Sequence, residues 1–254
     1  MLEGWAVAEL TVQMTELKNG PHAHEPHDRG TFSDGLNKLR AGVLGANDGI
    51  VSVAAVVVGV AGATSSLAPI ITAGTAAVVG GAISMALGEY VSVASARDSQ
   101  SALIAKETRE LAEMPEEELA ELAGIYESKG LSAATALQVA EELTAHNALG
   151  AHLEAELHID QDEVLKPWQA AWASFLAFLL GAALPMLAII LPPADLRIPI
   201  TFLATLIALG LTGALGAKLG GSPALRPTLR VLVGGTLALA ITFGIGALLG
   251  TAIG

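Results

Sequence analysis

Hydrophobic residues gather in two long zones of the chain, which a polar stretch separates. The first zone, residues 39–96, contains only three formally charged residues, Arg40, Asp48 and Glu89. The second zone runs from residue 167 to the C-terminus and contains a single acid. A bilayer core is crossed by about 20 residues of apolar helix, and both zones contain runs of that length. The pattern therefore predicts an all-α, polytopic membrane protein.

Five transmembrane helices are predicted, with Gly and Pro clusters at the connections between them. Their approximate ranges are 39–63, 68–94, 168–191, 198–218 and 229–252. The polar stretch is predicted to form three helices, over about 96–112, 115–130 and, after a Ser132 cap, 132–159. We therefore expect an N-terminal segment at 1–38, spans one and two within 39–96, an inserted three-helix domain at 97–166 and spans three to five within 167–254.

The composition shows where the charge lies. The 254 residues are 52% hydrophobic and 15% charged, yet the net charge is −12. Residues 97–166 account for nearly all of it, since they hold 16 acidic residues against five basic ones. The inserted domain is therefore expected to attract cations. No basic patch stands out, which disfavours nucleic acid as a partner.

The placement of Lys and Arg predicts the orientation. With a cytoplasmic N-terminus, twelve of the thirteen basic residues lie inside or at inner helix ends, and only Arg197 lies outside. The positive-inside rule thus favours a cytoplasmic N-terminus and inserted domain, with the C-terminus outside. Trp168 and Trp172 fit an aromatic anchor at the cytoplasmic surface. The Ala-rich, short-looped chain favours a bacterial plasma membrane, or the vacuolar membrane if the chain is eukaryotic.

Polar residues within the first two spans are candidates for an ion pathway. Asp48 lies about 14 Å from the inner end of span one, where a carboxylate costs about 2.5–3.5 kcal/mol. It either lines an ion path or makes a structural hydrogen bond, with Asn47 and Ser52 nearby. Met85 of span two reaches a similar depth, and Glu89 follows one turn nearer the cytoplasm. Carboxylate and thioether ligands together suit a borderline divalent transition metal.

Acidic and histidine side chains of the inserted domain recur at helical spacing. The pairs are Glu107 with Glu110, Glu118 with Glu121, Glu142 with His146, His152 with Glu156, and Glu154 with His158. If these carboxylates and imidazoles converge from three helices, they form a ligand set that suits Fe²⁺, Mn²⁺ or Zn²⁺. The alternative is a solvated acidic face. An enzyme is not expected, because the Glu-x-x-His motif of di-iron oxidases and all cysteines are absent.

The N-terminal segment contains two further features. Residues 1–18 have the spacing of a short amphipathic helix, which either lies on the membrane surface or packs on the acidic domain. The tract from His22 to His27 is expected to be a polar segment without fixed structure, with loose metal binding as the alternative.

Two motifs of the first two spans resemble the vacuolar iron transporter family, in the form of its bacterial members. They are LRAGVLGANDGIVS at residues 39–52 and GAISMALGEYVS at residues 81–92. The resemblance covers about residues 35–254 and includes the acidic insert. It implies a homodimer with five transmembrane helices per chain and a cytoplasmic three-helix metal-binding domain. The implied activity is export of Fe²⁺ or Mn²⁺ from the cytosol in exchange for protons.

The resemblance also implies roles for individual residues. Asp48 and Met85 match the membrane pathway of the family. The glutamates that match its metal-binding domain are Glu107, Glu110, Glu118, Glu121 and Glu156. There are departures: a second-helix glutamate of some members is Ala77 here, Glu89 replaces a small residue, and a methionine pair is replaced by His152 and Leu153. These departures leave the preferred metal open, with Zn²⁺ or Co²⁺ beside Fe²⁺ and Mn²⁺.

The sequence therefore predicts a metal transporter without a prosthetic group. The insert collects the ion, which passes Glu89 and then sits between Asp48 and Met85. The alternative is a membrane-anchored metal buffer or sensor, in which the insert binds metal and nothing crosses the bilayer.

Overall fold

A computed structural model of the chain describes residues 29–159 and 165–253. Within these ranges the secondary structure consists of seven α-helices, with no β-strand. They are α1 (Arg29–Ala63), α2 (Leu67–Glu113), α3 (Pro115–Ser128), α4 (Ala133–Ala155), α5 (Pro167–Ile190), α6 (Arg197–Leu219) and α7 (Leu225–Ile253). The helices α1, α2, α5, α6 and α7 are long and apolar enough to cross a membrane. The all-α fold with five candidate spans is thus confirmed, whereas the amphipathic helix at 1–18 and the His22 to His27 tract lie outside the described residues.

Helix α2 is the largest departure from the sequence prediction. A span over 68–94 and a separate helix over 96–112 are predicted, but the structure has one continuous helix of 47 residues. No Gly or Pro occurs between Gly88 and Pro115, so the backbone has no residue that would end the helix earlier. The change from apolar to polar side chains near residue 95 marks a change of surroundings, and the helical conformation continues through it.

The length of α2 carries its C-terminal part beyond the bilayer. A core of about 30 Å is crossed by about 20 residues, whereas Glu107 lies about 60 Å along the helix from Leu67. Helices α3 and α4 pack on each other and contact α2. A small core of Leu122, Ala140 and Ala155 lies between them. The expected boundary at residue 97 falls inside α2, so the division of the chain into domains stays a prediction.

Local signals explain where α3 and α4 begin. Helix α3 begins at Pro115 with three glutamates in its first turn, a placement that the helix dipole favours. Helix α4 is capped by Ser132, whose side chain accepts a hydrogen bond from the backbone N–H of Thr135. It ends at Ala155, four residues earlier than predicted, and its backbone is not helical at Asn147.

Close contacts at glycine hold α1 against α5. A Cβ atom at Gly49 would lie 2.3 Å from the carbonyl oxygen of Phe178, and one at Gly181 would lie 2.2 Å from that of Ala46. The Phe178 ring extends to α2, where it occupies the space that a side chain at Gly81 would need. Gly49 directly follows Asp48 on α1, and all three glycines let the helices approach closely.

Candidate metal site and membrane acids

Three buried polar side chains meet where α2, α3 and α4 pack together. Glu107 of α2, Glu118 of α3 and His152 of α4 each offer one ligand atom, and these atoms all lie within 4.8 Å of one another. The Nδ1 atom of His152 is 3.0 Å from Oε1 of Glu107 and 3.5 Å from Oε2 of Glu118. The imidazole is completely buried, and the two glutamates are 3% and 6% exposed. These residues are called the metal cluster below.

The metal cluster contains buried polar atoms that no hydrogen bond satisfies within the described part of the chain. Both ring nitrogens of His152 and Oε1 of Glu107 lack a hydrogen-bond partner. Nδ1 of His152 and Oε1 of Glu107 are nevertheless only 3.0 Å apart. An unsatisfied buried polar group costs about 1–3 kcal/mol. A divalent cation bound by all three side chains would satisfy Oε1 of Glu107 and one ring nitrogen of His152 together, since carboxylate oxygen and imidazole nitrogen are its usual ligands.

Three other predicted ligands surround the metal cluster. The Oε2 atom of Glu156 lies 3.8 Å from Nδ1 of His152, one turn away on the same helix. Glu110 is held differently, because its Oε2 atom is 2.9 Å from Nζ of Lys106. Glu121 of α3 acts on the cluster through its charge. Glu156 therefore lies at the edge of the cluster, whereas Glu110 is engaged by a lysine.

Burial and mutual repulsion raise the pKa values of the cluster glutamates. The pKa of Glu107 rises from 4.5 to about 7, first because of burial and then because of the charges on Glu156 and Glu118. Burial also raises the pKa of Glu118, and the Glu121 charge adds to this while His152 opposes it. Both glutamates lie beyond the part of the chain that crosses the bilayer. A metal ion bound by these carboxylates would displace their protons.

Asp48 lies on an exposed face of α1. It falls within the candidate span Gly42–Ala63, about 9 Å from Gly42. Its neighbour Asn47 points into the helix bundle, where Oδ1 accepts a hydrogen bond from the hydroxyl of Thr212 on α6. Asn47 thus links α1 to α6, while both alternatives for Asp48 stay predictions.

Met85 and Glu89 are both half-buried on α2. Met85 packs against the core cluster that contains Phe178, so it contributes to packing whatever else it does. Glu89 precedes Tyr90, whose ring centroid lies 4.8 Å from that of Trp168 at the start of α5. A Tyr–Trp pair of this kind is typical of the membrane–water interface. We therefore expect Glu89 near the level of the bilayer surface. The joint role of Asp48, Met85 and Glu89 in a pathway stays a prediction.

One residue of structural importance for the site, Asn147, is absent from the sequence prediction. It interrupts α4 five residues before His152, with φ −160° and ψ 86°. Asn is a preferred helix N-cap, so the signal is present in the sequence. It is hidden because the Ala and Leu residues on both sides favour a continuous helix.

Comparison with known proteins relates most of the helical region to one family. A family model described as the VIT family matches residues 39–247. A protein named vacuolar iron transporter from Acanthamoeba castellanii is 43% identical over 217 residues, which cover 83% of this chain and 78% of that protein. Vacuolar iron transporter homolog 3 of Arabidopsis thaliana is 37% identical over 87% of each chain. Vacuolar iron transporter homolog 1 of Oryza sativa subsp. japonica is 36% identical over 84% of this chain and 74% of its own.

Proposed function

The chain belongs to the VIT family, and from this premise we propose that it exports Fe²⁺ or Mn²⁺ from the cytosol in exchange for protons. Its relatives are named vacuolar iron transporters, which supports metal transport in general. The observation that carries the proposal is the metal cluster, in which Glu107, Glu118 and His152 converge from three helices. A mixed carboxylate and imidazole site suits Fe²⁺, Mn²⁺, Zn²⁺ or Co²⁺ better than Mg²⁺ or Ca²⁺.

The acidic part of the chain supplies the first step of the proposed mechanism. Residues 97–166 hold most of the negative charge, and such a surface raises the local concentration of cations. The positive-inside rule favours a cytosolic position for this part. Metal ions are thereby collected at the metal cluster, and α2 connects this cluster directly to the second membrane span.

The exposed position of Asp48 supports a pathway between two copies of the chain. A carboxylate that faces lipid within a bilayer costs several kcal/mol, so this face of α1 is covered by protein or lines water. Leu44, one turn before Asp48 and on the same face, is 59% exposed, and Val56, turned by about 80° from Asp48, is 37% exposed. We propose that a second copy packs here in a two-fold homodimer. Asp48 and Met85 of both copies would then line the passage, with Glu89 at its cytosolic entrance.

Proton coupling follows from the chemistry of the carboxylates. A carboxylate that binds a metal ion releases its proton, and one that loses the ion can take up a proton. If Asp48 alternates between binding a metal ion and binding a proton, metal leaves the cytosol as protons enter. No covalent chemistry and no prosthetic group are required.

Transport into proteoliposomes tests the proposal. Purified protein is reconstituted in vesicles that contain a metal-sensitive dye, and Fe²⁺ or Mn²⁺ is added outside. A proton-coupled exporter is supported if Fe²⁺ or Mn²⁺ enters the vesicles faster when their lumen is acidic. Competition between added metals then identifies the preferred one. Metal binding to the protein without entry into the vesicles would instead support the membrane-anchored buffer or sensor.

A further inference from the structure

Helix α4 changes its buried face partway along its length. In its first part Ala136 and Ala140 are buried. An α-helix turns by about 100° per residue, so a continuous helix would return to the face of Ala136 at Glu154, and His152 would point about 160° away from it. The structure shows the opposite arrangement, since Glu154 is exposed and His152 is completely buried.

The change of face occurs at Asn147. Its backbone is extended, with φ −160° and ψ 86°, and its Oδ1 atom accepts a hydrogen bond from the backbone N–H of Gly150 at 3.1 Å. This bond, from a cap side chain to the third residue of the following helix, is the geometry of an N-cap. Asn147 therefore ends one helical segment and begins another. The second segment, residues 148–155, has its own rotational phase and carries His152.

We propose that Asn147 is a positioning residue for the metal cluster, because the break that it caps turns His152 toward Glu107 and Glu118. The inference rests on the proposed metal-binding role of these residues. The same break leaves Glu154 outside, so the imidazole of His152 and not the Glu154 carboxylate faces Glu107 and Glu118. A site made only of carboxylates would suit harder cations such as Mg²⁺, Ca²⁺ or Mn²⁺.

Cysteine labelling tests the rotational phase of the helix without any metal. The chain contains no cysteine, so Glu154→Cys in the full-length protein gives a single labelling site. We expect a maleimide to label it rapidly, and Asn147→Ser, which keeps a cap, to leave the rate unchanged. Asn147→Ala removes the cap and favours a continuous helix, so we expect it to slow labelling several-fold. Equal rates in the Asn147→Ser and Asn147→Ala backgrounds would overturn the inference.

Cobalt binding tests the consequence for the site. Titration of the full-length protein with Co²⁺ reports affinity, and the visible absorption bands report the ligands. We expect Asn147→Ala to weaken binding about 10- to 100-fold, as loss of supporting residues around metal ligands does. Its spectrum should match that of His152→Ala, whereas Asn147→Ser should keep the parent spectrum. An unchanged spectrum and affinity in Asn147→Ala would show that the residue does not position the ligand.

The two measurements separate this inference from the proposed function. If the parent protein binds no Co²⁺ at the cluster, the metal-binding role fails and the positioning of a ligand fails with it. The labelling rates then still decide whether Asn147 sets the phase of α4. If the parent binds Co²⁺ and both Asn147 variants match it in Co²⁺ affinity, spectrum and labelling rate, the proposed metal-binding role stands and only the inference is wrong.

Discussion

Glu89 and Glu107 lie on the same face of one uninterrupted helix, α2, five turns and about 27 Å apart. Glu89 is expected at the level of the bilayer surface, and Glu107 belongs to the metal cluster. Because no Gly or Pro interrupts the helix between them, a rotation of one end is transmitted to the other. We therefore expect α2 to fix both the distance and the orientation of the cluster relative to the membrane spans.

Alanine insertions between Asp98 and Ser99, both exposed on α2, test this connection. Two alanines rotate the cluster by about 200° relative to the span and four alanines by only about 40°. We expect metal flux into proteoliposomes to fall much further with two alanines than with four. Co²⁺ binding should persist in both variants, because the cluster stays on one side of the insertion.

The pair of insertions also serves as its own control. The four-residue insertion lengthens the helix by about 6 Å and the two-residue insertion by about 3 Å. An effect of distance alone would therefore impair the longer variant more. Equal flux in the two variants, or the reverse order, would contradict a rigid connection through α2.

The raised pKa of Glu107 predicts how pH affects the stability of the metal-free protein. Its pKa is about 7 in the folded chain and has the ordinary value of 4.5 when unfolded. The folded state therefore binds the proton more tightly, and stability falls as pH rises from about 4.5 to about 7. We expect the Tm in detergent to fall over this range, and Glu107→Gln to reduce the dependence. Glu127→Gln, at an exposed site on α3, is the control.

Metal binding should have the opposite dependence on pH. Ligation requires the ionised carboxylate, so affinity for Mn²⁺ rises as pH increases through about 7. Isothermal titration at pH 6, 7 and 8 measures this directly. The assignment of Glu107 as a ligand would be contradicted by an affinity that is the same at all three values.

The sequence predicts which residues are candidate ligands better than it predicts their arrangement. The acidic pairs and the family resemblance indicate Glu107 and Glu118 among several candidate glutamates, because side-chain chemistry is read directly from the residues. Spacing alone cannot decide between the pairs His152 with Glu156 and Glu154 with His158, since both are four residues apart. The break at Asn147 determines that His152, and not Glu154, is buried. This break depends on one capping residue among helix-forming residues, so spacing does not reveal it.

The predicted helix boundary near residue 95 fails for a related reason. It was placed where apolar side chains give way to polar ones, but hydrophobicity responds to the surroundings of a helix and not to its backbone. The boundaries marked by Pro115 and by Ser132 agree with the structure, because these residues act on the backbone itself.

Replacement of Asp48 by Asn separates the membrane pathway from the metal cluster. Asp48→Asn keeps the side-chain volume and removes the charge that binds metal or proton. We expect metal flux to fall to the level of protein-free vesicles, while Co²⁺ binding at the cluster is unchanged. Asp98→Asn removes one exposed acid outside the span and should transport normally. Transport by Asp48→Asn at the parent rate would show that the pathway does not use this residue.

Cross-linking at the exposed face of α1 tests whether a second copy covers Asp48. In the cysteine-free chain, we expect Leu44→Cys and Val56→Cys to form covalent dimers on oxidation or with a short bismaleimide. A disulfide requires Cα atoms within about 7 Å, so only residues at or near an interface react efficiently. Leu215→Cys is a matched control, because it is also apolar, 56% exposed and within a candidate span, on α6. Efficient dimers with Leu215→Cys and none with the α1 variants would place the interface elsewhere and leave Asp48 without its proposed partner.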